Sequence, residues 1–252
     1  MDIHNLTAKE RKKIHTWLRA LIQLLYFIFI PSVYTAAFAG VKYIFTQIGA
    51  GEKVAMTSFV TVLLVICLYT MVFGRFFCGF VCAFGAFGDA LHALYTKVCK
   101  KRKKKPVKIP EKAVWILGYM KYLVLLLIVL LCYSGVYGKA QGTSPWDVFS
   151  MIHAGNFRLG GYGIGLVILL LLMAGMCVQE RFFCRFFCPM GAVFSLMPVL
   201  PFSVIKRNRE NCIPNCKACN LVCPASLEIP SDKEGDNAAS GECFSCGKCI
   251  GK

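Results

Sequence analysis

The sequence predicts an all-α membrane domain of four transmembrane helices, arranged as two parallel two-helix repeats, followed by a small cysteine-rich α+β domain. Three observations predict it. The chain of 252 residues is 57% hydrophobic and only 17% charged, with its charges bunched beside apolar spans. A twelve-residue stretch occurs twice: Arg75–Ala86 reads RFFCGFVCAFGA and Arg181–Ala192 reads RFFCRFFCPMGA, aligned without a gap at an offset of 106 with eight identities. Short C-x3-C and C-x2-C spacings among 15 cysteines favour metal binding in a reducing compartment over a disulfide framework.

The elements follow in order. Residues 1–19 are polar and basic, with no A-x-A-like cleavage site before the apolar run. Ala20–Val41 is the first predicted span, with Pro31 as a tolerated kink, and Val54–Phe73 is the second. The first RFFC motif follows directly. Lys97–Lys108 then carries eight cations and no acid, as suits a cytoplasmic loop against anionic lipid or an acidic redox partner. Ala113–Val136 is the third span, with Lys121 expected to snorkel to the surface. The sparsely charged loop Tyr137–Gly160 reads as interfacial or re-entrant, with Trp146 at headgroup depth. Gly161–Val178 is the fourth span and leads into the second motif.

The net charge of +16 sits beside apolar spans, so the positive-inside rule explains it without nucleic acid. The basic N-terminal arm, the 97–108 loop and Lys206–Arg209 then lie in the cytoplasm, with both termini. Both RFFC motifs fall at the cytoplasmic ends of their spans. Parallel repeats are usually related by an axis along the membrane normal, which would bring the motifs together. On a helix, cysteines four residues apart share one face, so each motif is half a metal site. The membrane domain is expected over residues 1–205 and the tail domain over 206–252.

The tail reads Cys212-x3-Cys216-x2-Cys219-x3-Cys223-Pro224, then Cys243-x2-Cys246-x2-Cys249. This resembles the two-cluster ferredoxin pattern, in which the fourth cysteine of each run ligates the other cluster. Cys223, Cys243, Cys246 and Cys249 then make one complete 4Fe–4S set. Cys212, Cys216 and Cys219 are one ligand short, as expected of a chain shortened before a fourth cysteine; a three-iron or otherwise ligated cluster is the alternative. Zinc competes, but its knuckles usually stand further apart and lack the trailing Cys-Pro.

Paired RFFC-x3-C motifs behind transmembrane pairs, with a ferredoxin-like tail, resemble the NapH/NosR-type membrane polyferredoxin family over nearly the whole chain. The resemblance implies electron transfer in a bacterial or archaeal plasma membrane. It also implies partners that carry quinone or FMN, with flavin on the partner rather than here, and a cytosolic ferredoxin or flavodoxin as a further candidate. Carried over by position, its motif cysteines are Cys78, Cys82, Cys184 and Cys188. The family's Cys-Pro is Cys188-Pro189 in one copy and Cys82-Ala83 in the other, which leaves the first copy's turn open. Four thiolates complete one 2Fe–2S or 4Fe–4S cluster. Arg75 and Arg181 adjoin it and would offset its charge, while Phe76, Phe77, Phe182 and Phe183 would exclude water.

Cys67, Cys132 and Cys177 read as small apolar residues within spans, Cys99 as a free thiol, and His153 as a contact for a quinone or flavin partner at most. No nucleotide loop or acid–base pair is present, so the chain reads as an electron-transfer subunit rather than a stand-alone enzyme. A protein that matures metal centres or senses redox state is the rival from another class.

Overall fold

The computed structural model describes residues 8–105, 107, 109–158, 160–200, 218–227 and 241–249. Among the described residues the secondary structure is helical and contains no strand, so the β part expected of the tail is not found there.

Helix α1, Ala8–Phe29, stops where Pro31 cannot donate to the ladder, and α2, Val33–Ala50, leaves at a bend of 63°. The expected first span with a mild kink is therefore two helices. Helix α2 ends on Gly51, whose φ of 72° lets its N–H close the last turn on Gln47 and Ile48 carbonyls. Helix α3, Ser58–Phe73, returns antiparallel, and Gly40 lets the α2 and α3 backbones touch near Phe59. After the first motif, α4 spans Ala83–Lys101 and carries the basic stretch at its end, with Cys99 buried in it.

Helices α5, Glu111–Leu117, and α6, Met120–Tyr133, run on as one apolar segment from Lys112 to Tyr133 that is long enough to cross a membrane. Gly49 of α2 lies against the Tyr133 carbonyl at its far end. The connecting segment holds α7, Tyr137–Ala140, and α8, Pro145–His153, the latter capped by Ser144 with Pro145 in its first turn. Helix α9, Gly163–Val178, mirrors α3 at 16 residues each. The second motif contains α10, Phe182–Phe186, and α11, Pro189–Leu196; α12, Ala218–Val222, belongs to the tail.

Two side chains sit otherwise than expected. Lys121 does not snorkel: it is 1% exposed, because a tail carboxylate reaches in to pair with it. Trp146 is 7% exposed and packs edge-on against Phe38 at 5.2 Å, facing the helices rather than a headgroup layer. The outer faces of α1, α3, α6 and α9 are apolar and exposed, with Leu24 and Phe29, Val65 and Leu68, Leu123 and Leu126, and Val167 and Leu171 among their side chains. Arg19, Arg75, Lys121 and Arg181 are instead buried, at the end where the two motifs meet.

Candidate metal centre

Each motif makes the same turn. The N–H of Cys82 donates to the Phe77 carbonyl and that of Cys188 to the Phe183 carbonyl, both at 2.9 Å and both five residues back. In the first copy this winds Phe77–Val81 into a π-turn, a feature common at functional sites. Cys82 (φ −63°, ψ 115°) and Cys188 (φ −73°, ψ 112°) then cap the next helix in nearly the same conformation. Ala83 therefore preserves the turn that Pro189 makes in the second copy. The Cys188 sulfur accepts from the Gly191 N–H at 3.1 Å, which favours a thiolate, but burial outweighs it and holds the Cys188 thiol well above its ordinary value.

The structure brings Cys78, Cys82, Cys184 and Cys188 together, all at 3–6% exposure. Burial pushes the Cys82 thiol well above its ordinary value, and Cys184, Cys78 and Cys188 push it further. Burial likewise raises Cys184, against the pull of Arg181, to about 11. Tyr34 of α2 closes one side, its hydroxyl 3.7 Å from the Cys188 sulfur. Phe77 and Phe183 are buried around the thiols as anticipated, whereas Phe76 and Phe182 are half-buried.

The arginines are exchanged between the copies. Arg181 packs against Gly85 and Arg75 against Gly191, and these glycines are themselves 106 apart. Arg181 donates to the carbonyls of Cys78 and Gly79 and forks onto Asp89 at 2.8 and 2.6 Å. Arg19 and Gln23 of α1 complete that network on Asp89 and Gly79. Burial alone would raise the Asp89 carboxyl, but Arg181 and Arg19 outweigh it and hold it below the ordinary value. Arg75, 0% exposed, pairs instead with Glu242 at 3.0 Å, and its Nε and Nη2 have no hydrogen-bond partner among the described residues. Four buried thiols beside buried, unpartnered N–H donors fit an anionic sulfur-rich group.

The tail carries a second thiol set. Cys223, Cys243, Cys246 and Cys249 line one small cavity with Phe244 and Lys248. Cys219 does not line this cavity but lies beside Cys249, its sulfur 4.0 Å from the Cys249 carbonyl, and Cys212 and Cys216 lie outside the described residues. Burial raises the Cys249 thiol to about 11, with Cys246 and Cys243 adding to it. Between the two sets lies the Phe244 ring, 4.9 Å from the Arg75 guanidinium and 5.9 Å from that of Arg181. Among the described residues no three His, Cys, Asp or Glu side chains are spaced to hold a single metal ion. His153 packs on Phe27 of α1 at 4.6 Å, away from the thiols.

Sequence reasoning missed Asp89, Glu242, Arg19, Gln23 and Tyr34. Only the glycine pair Gly85 and Gly191 left a signal, as identities within the repeat.

A 4Fe-4S binding domain family matches the chain twice, at residues 55–106 and 163–208, once over each span and its motif. An uncharacterised protein of Methanocaldococcus jannaschii is 30% identical over 89% of this chain and 85% of its own length. The chain belongs to the NapH/NosR-type polyferredoxin family. Within that iron–sulfur electron-transfer family it is similar to the methylamine utilization ferredoxin-type protein MauN of Paracoccus denitrificans, at 33% identity over 77% of this chain and 65% of that protein. It is also similar to the ferredoxin-type protein NapH of Escherichia coli, at 25% identity over 81% of this chain and 68% of that protein. No solved structure matches the chain significantly. Both matched segments of this polyferredoxin contain an exchanged arginine, the glycine that receives the other copy's arginine, and a thiol pair.

Proposed function

We propose that this polyferredoxin is a membrane-bound electron relay, passing electrons between tail clusters, one cluster shared by the two RFFC motifs, and a quinone- or flavin-bearing partner. The observation that carries the reading is the convergence of two buried thiol pairs beside Arg75 and Arg181, next to a second thiol set in the tail. Iron–sulfur clusters supply reversible one-electron chemistry when bound there.

Cys78, Cys82, Cys184 and Cys188 would hold the shared cluster, and the domain family at both copies favours 4Fe–4S over 2Fe–2S. Cys223, Cys243, Cys246 and Cys249 would hold a tail cluster, with Cys212, Cys216 and Cys219 contributing to another. Arg75 and Arg181 supply fixed positive charge to a reduced, more anionic site, while Phe77 and Phe183 exclude water.

Among the described residues the segment Lys112–Tyr133 is long and apolar enough to cross a membrane, and the bent pair of α1 and α2 passes together; the apolar exposed faces of the shorter α3 and α9 support reading four spans. Helix α1 then lies obliquely at the cytoplasmic surface, its polar side on the first motif through Arg19 and Gln23. The relay is tested by purifying the protein with its partners, measuring iron and acid-labile sulfide, and following turnover with quinol or reduced flavodoxin. Sustained flux with matching cluster reduction is expected; zinc without sulfide, or clusters that reduce without sustaining flux, would refute it.

A further inference from the structure

The two copies of the repeat differ where the tail touches them. Adding 106 to Asp89 gives Ser195, so the second copy has no acid at that position. Ser195 Oγ lies 2.9 Å from the Tyr122 hydroxyl, which also donates to Glu242 Oε1 at 3.2 Å. The tail's Glu242 therefore stands beside the missing acid's place, pairing Arg75 as Asp89 pairs Arg181.

Two further differences fall on the same surface. Gly79 corresponds to Arg185, and the Phe244 carbonyl fills the space a side chain on Gly79 would need. Gly74 corresponds to Glu180: the Ser245 hydroxyl lies 3.3 Å from where a Cβ on Gly74 would stand, while Glu180 itself pairs with Lys248 of the tail. The first copy has glycines where the second has Glu180 and Arg185, the second has Ser195 where the first has Asp89, and the segment Gly241–Cys249 packs against these positions.

We propose that Glu242 is a positioning residue, a carboxylate lent by the tail that seats the Cys223, Cys243, Cys246 and Cys249 set against the motif thiols. Arg75 and Lys121 hold its two oxygens, which fixes Cys243 and Phe244 next to it in sequence. The inference rests on the relay reading, since a seated tail matters for electron transfer only if both thiol sets carry clusters.

The test compares Glu242→Gln, Glu242→Asp and Ser195→Asp in the full chain. Ser195→Asp gives Arg75 an acid from the other copy, as Asp89 serves Arg181, and competes with Glu242 for it. Hydrogen exchange over residues 241–249 reads the seating directly, with or without iron. Broadening of one cluster's EPR signal by its neighbour reads the approach of the two sets in the fully reduced protein. In Glu242→Gln and Ser195→Asp, exchange should accelerate about tenfold for each 1.4 kcal/mol of seating lost. The broadening should be lost with iron content kept, and Glu242→Asp should restore part of both. Unchanged exchange and broadening in Glu242→Gln and Ser195→Asp would overturn the proposal. So would iron lost from the motif site in Ser195→Asp, which would assign the pair to assembly of that site. Accelerated exchange in a protein that binds no iron would refute the relay reading and leave the seating role standing.

Discussion

Replacing Asp89 with Asn tests the buried network that joins the two copies. The carboxylate accepts from Arg181 at 2.6 and 2.8 Å, from Arg19 at 2.7 Å and from Gln23 at 2.9 Å. Arg181 is 1% exposed, so the substitution strands a buried guanidinium without its counter-charge. Breaking one side of a buried pair costs about 3–5 kcal/mol; Asn keeps one acceptor, which places the loss near about 3 kcal/mol. For a chain of this size that lowers the melting temperature by about 6–12 °C. Thermal unfolding of the detergent-solubilised protein by circular dichroism measures it. The pH dependence gives a second check. Because Asp89 is held below the ordinary carboxylate value, its contribution is complete above about pH 4 and lost as pH falls through its depressed value. The Asn variant should lose that acid-linked part of the stability profile. A melting temperature within about 2 °C of the parent would refute the claim that Asp89 compensates the exchanged arginine.

Other outcomes follow from the same geometry. Gly79→Ala puts a methyl group into the Phe244 carbonyl, so tail contact should weaken, read as lost EPR broadening, while iron at the motif site is kept. Because burial raises Cys82, Cys184, Cys188, Cys223, Cys243 and Cys249, with Cys184 and Cys249 at about 11, these thiols are protonated at neutral pH in the iron-free protein. Cluster loading should therefore release about one proton per cysteine and weaken as pH falls, which titration of the reconstitution mixture measures. Tyr34→Phe removes the hydroxyl beside Cys188 and should shift the motif site's reduction potential without changing its iron content.

Much of the site is legible in the sequence because the repeat is nearly identical where the thiols are. The C-x3-C spacing, the flanking arginines and the offset of 106 already pair the two halves. What the sequence hides is which copy serves which. That Arg75 rests on Gly191 and Arg181 on Gly85 is a property of the assembled pair, and nothing local to either motif encodes it. Asp89 and Glu242 look like ordinary surface acids until the fold sets them, half-buried, on buried arginines from distant segments. Lys121 has the same history: a cation in an apolar span is expected to reach for the surface, but Glu242 comes to it. Pro31 shows the limit of hydropathy alone, which sees one continuous apolar run where the backbone needs a break. Trp146 is enriched at interfaces as a residue type, yet here Phe38 and Phe183 offer it a packed aromatic site.

The shared cluster is tested most directly by counting iron and acid-labile sulfide per chain in Cys78→Ala, Cys184→Ala and the double variant. If the two motifs hold one cluster jointly, each single variant loses that cluster's iron and the double loses no more, while the tail keeps its own. Losses that add, with the double variant losing twice as much as either single, would contradict the shared site.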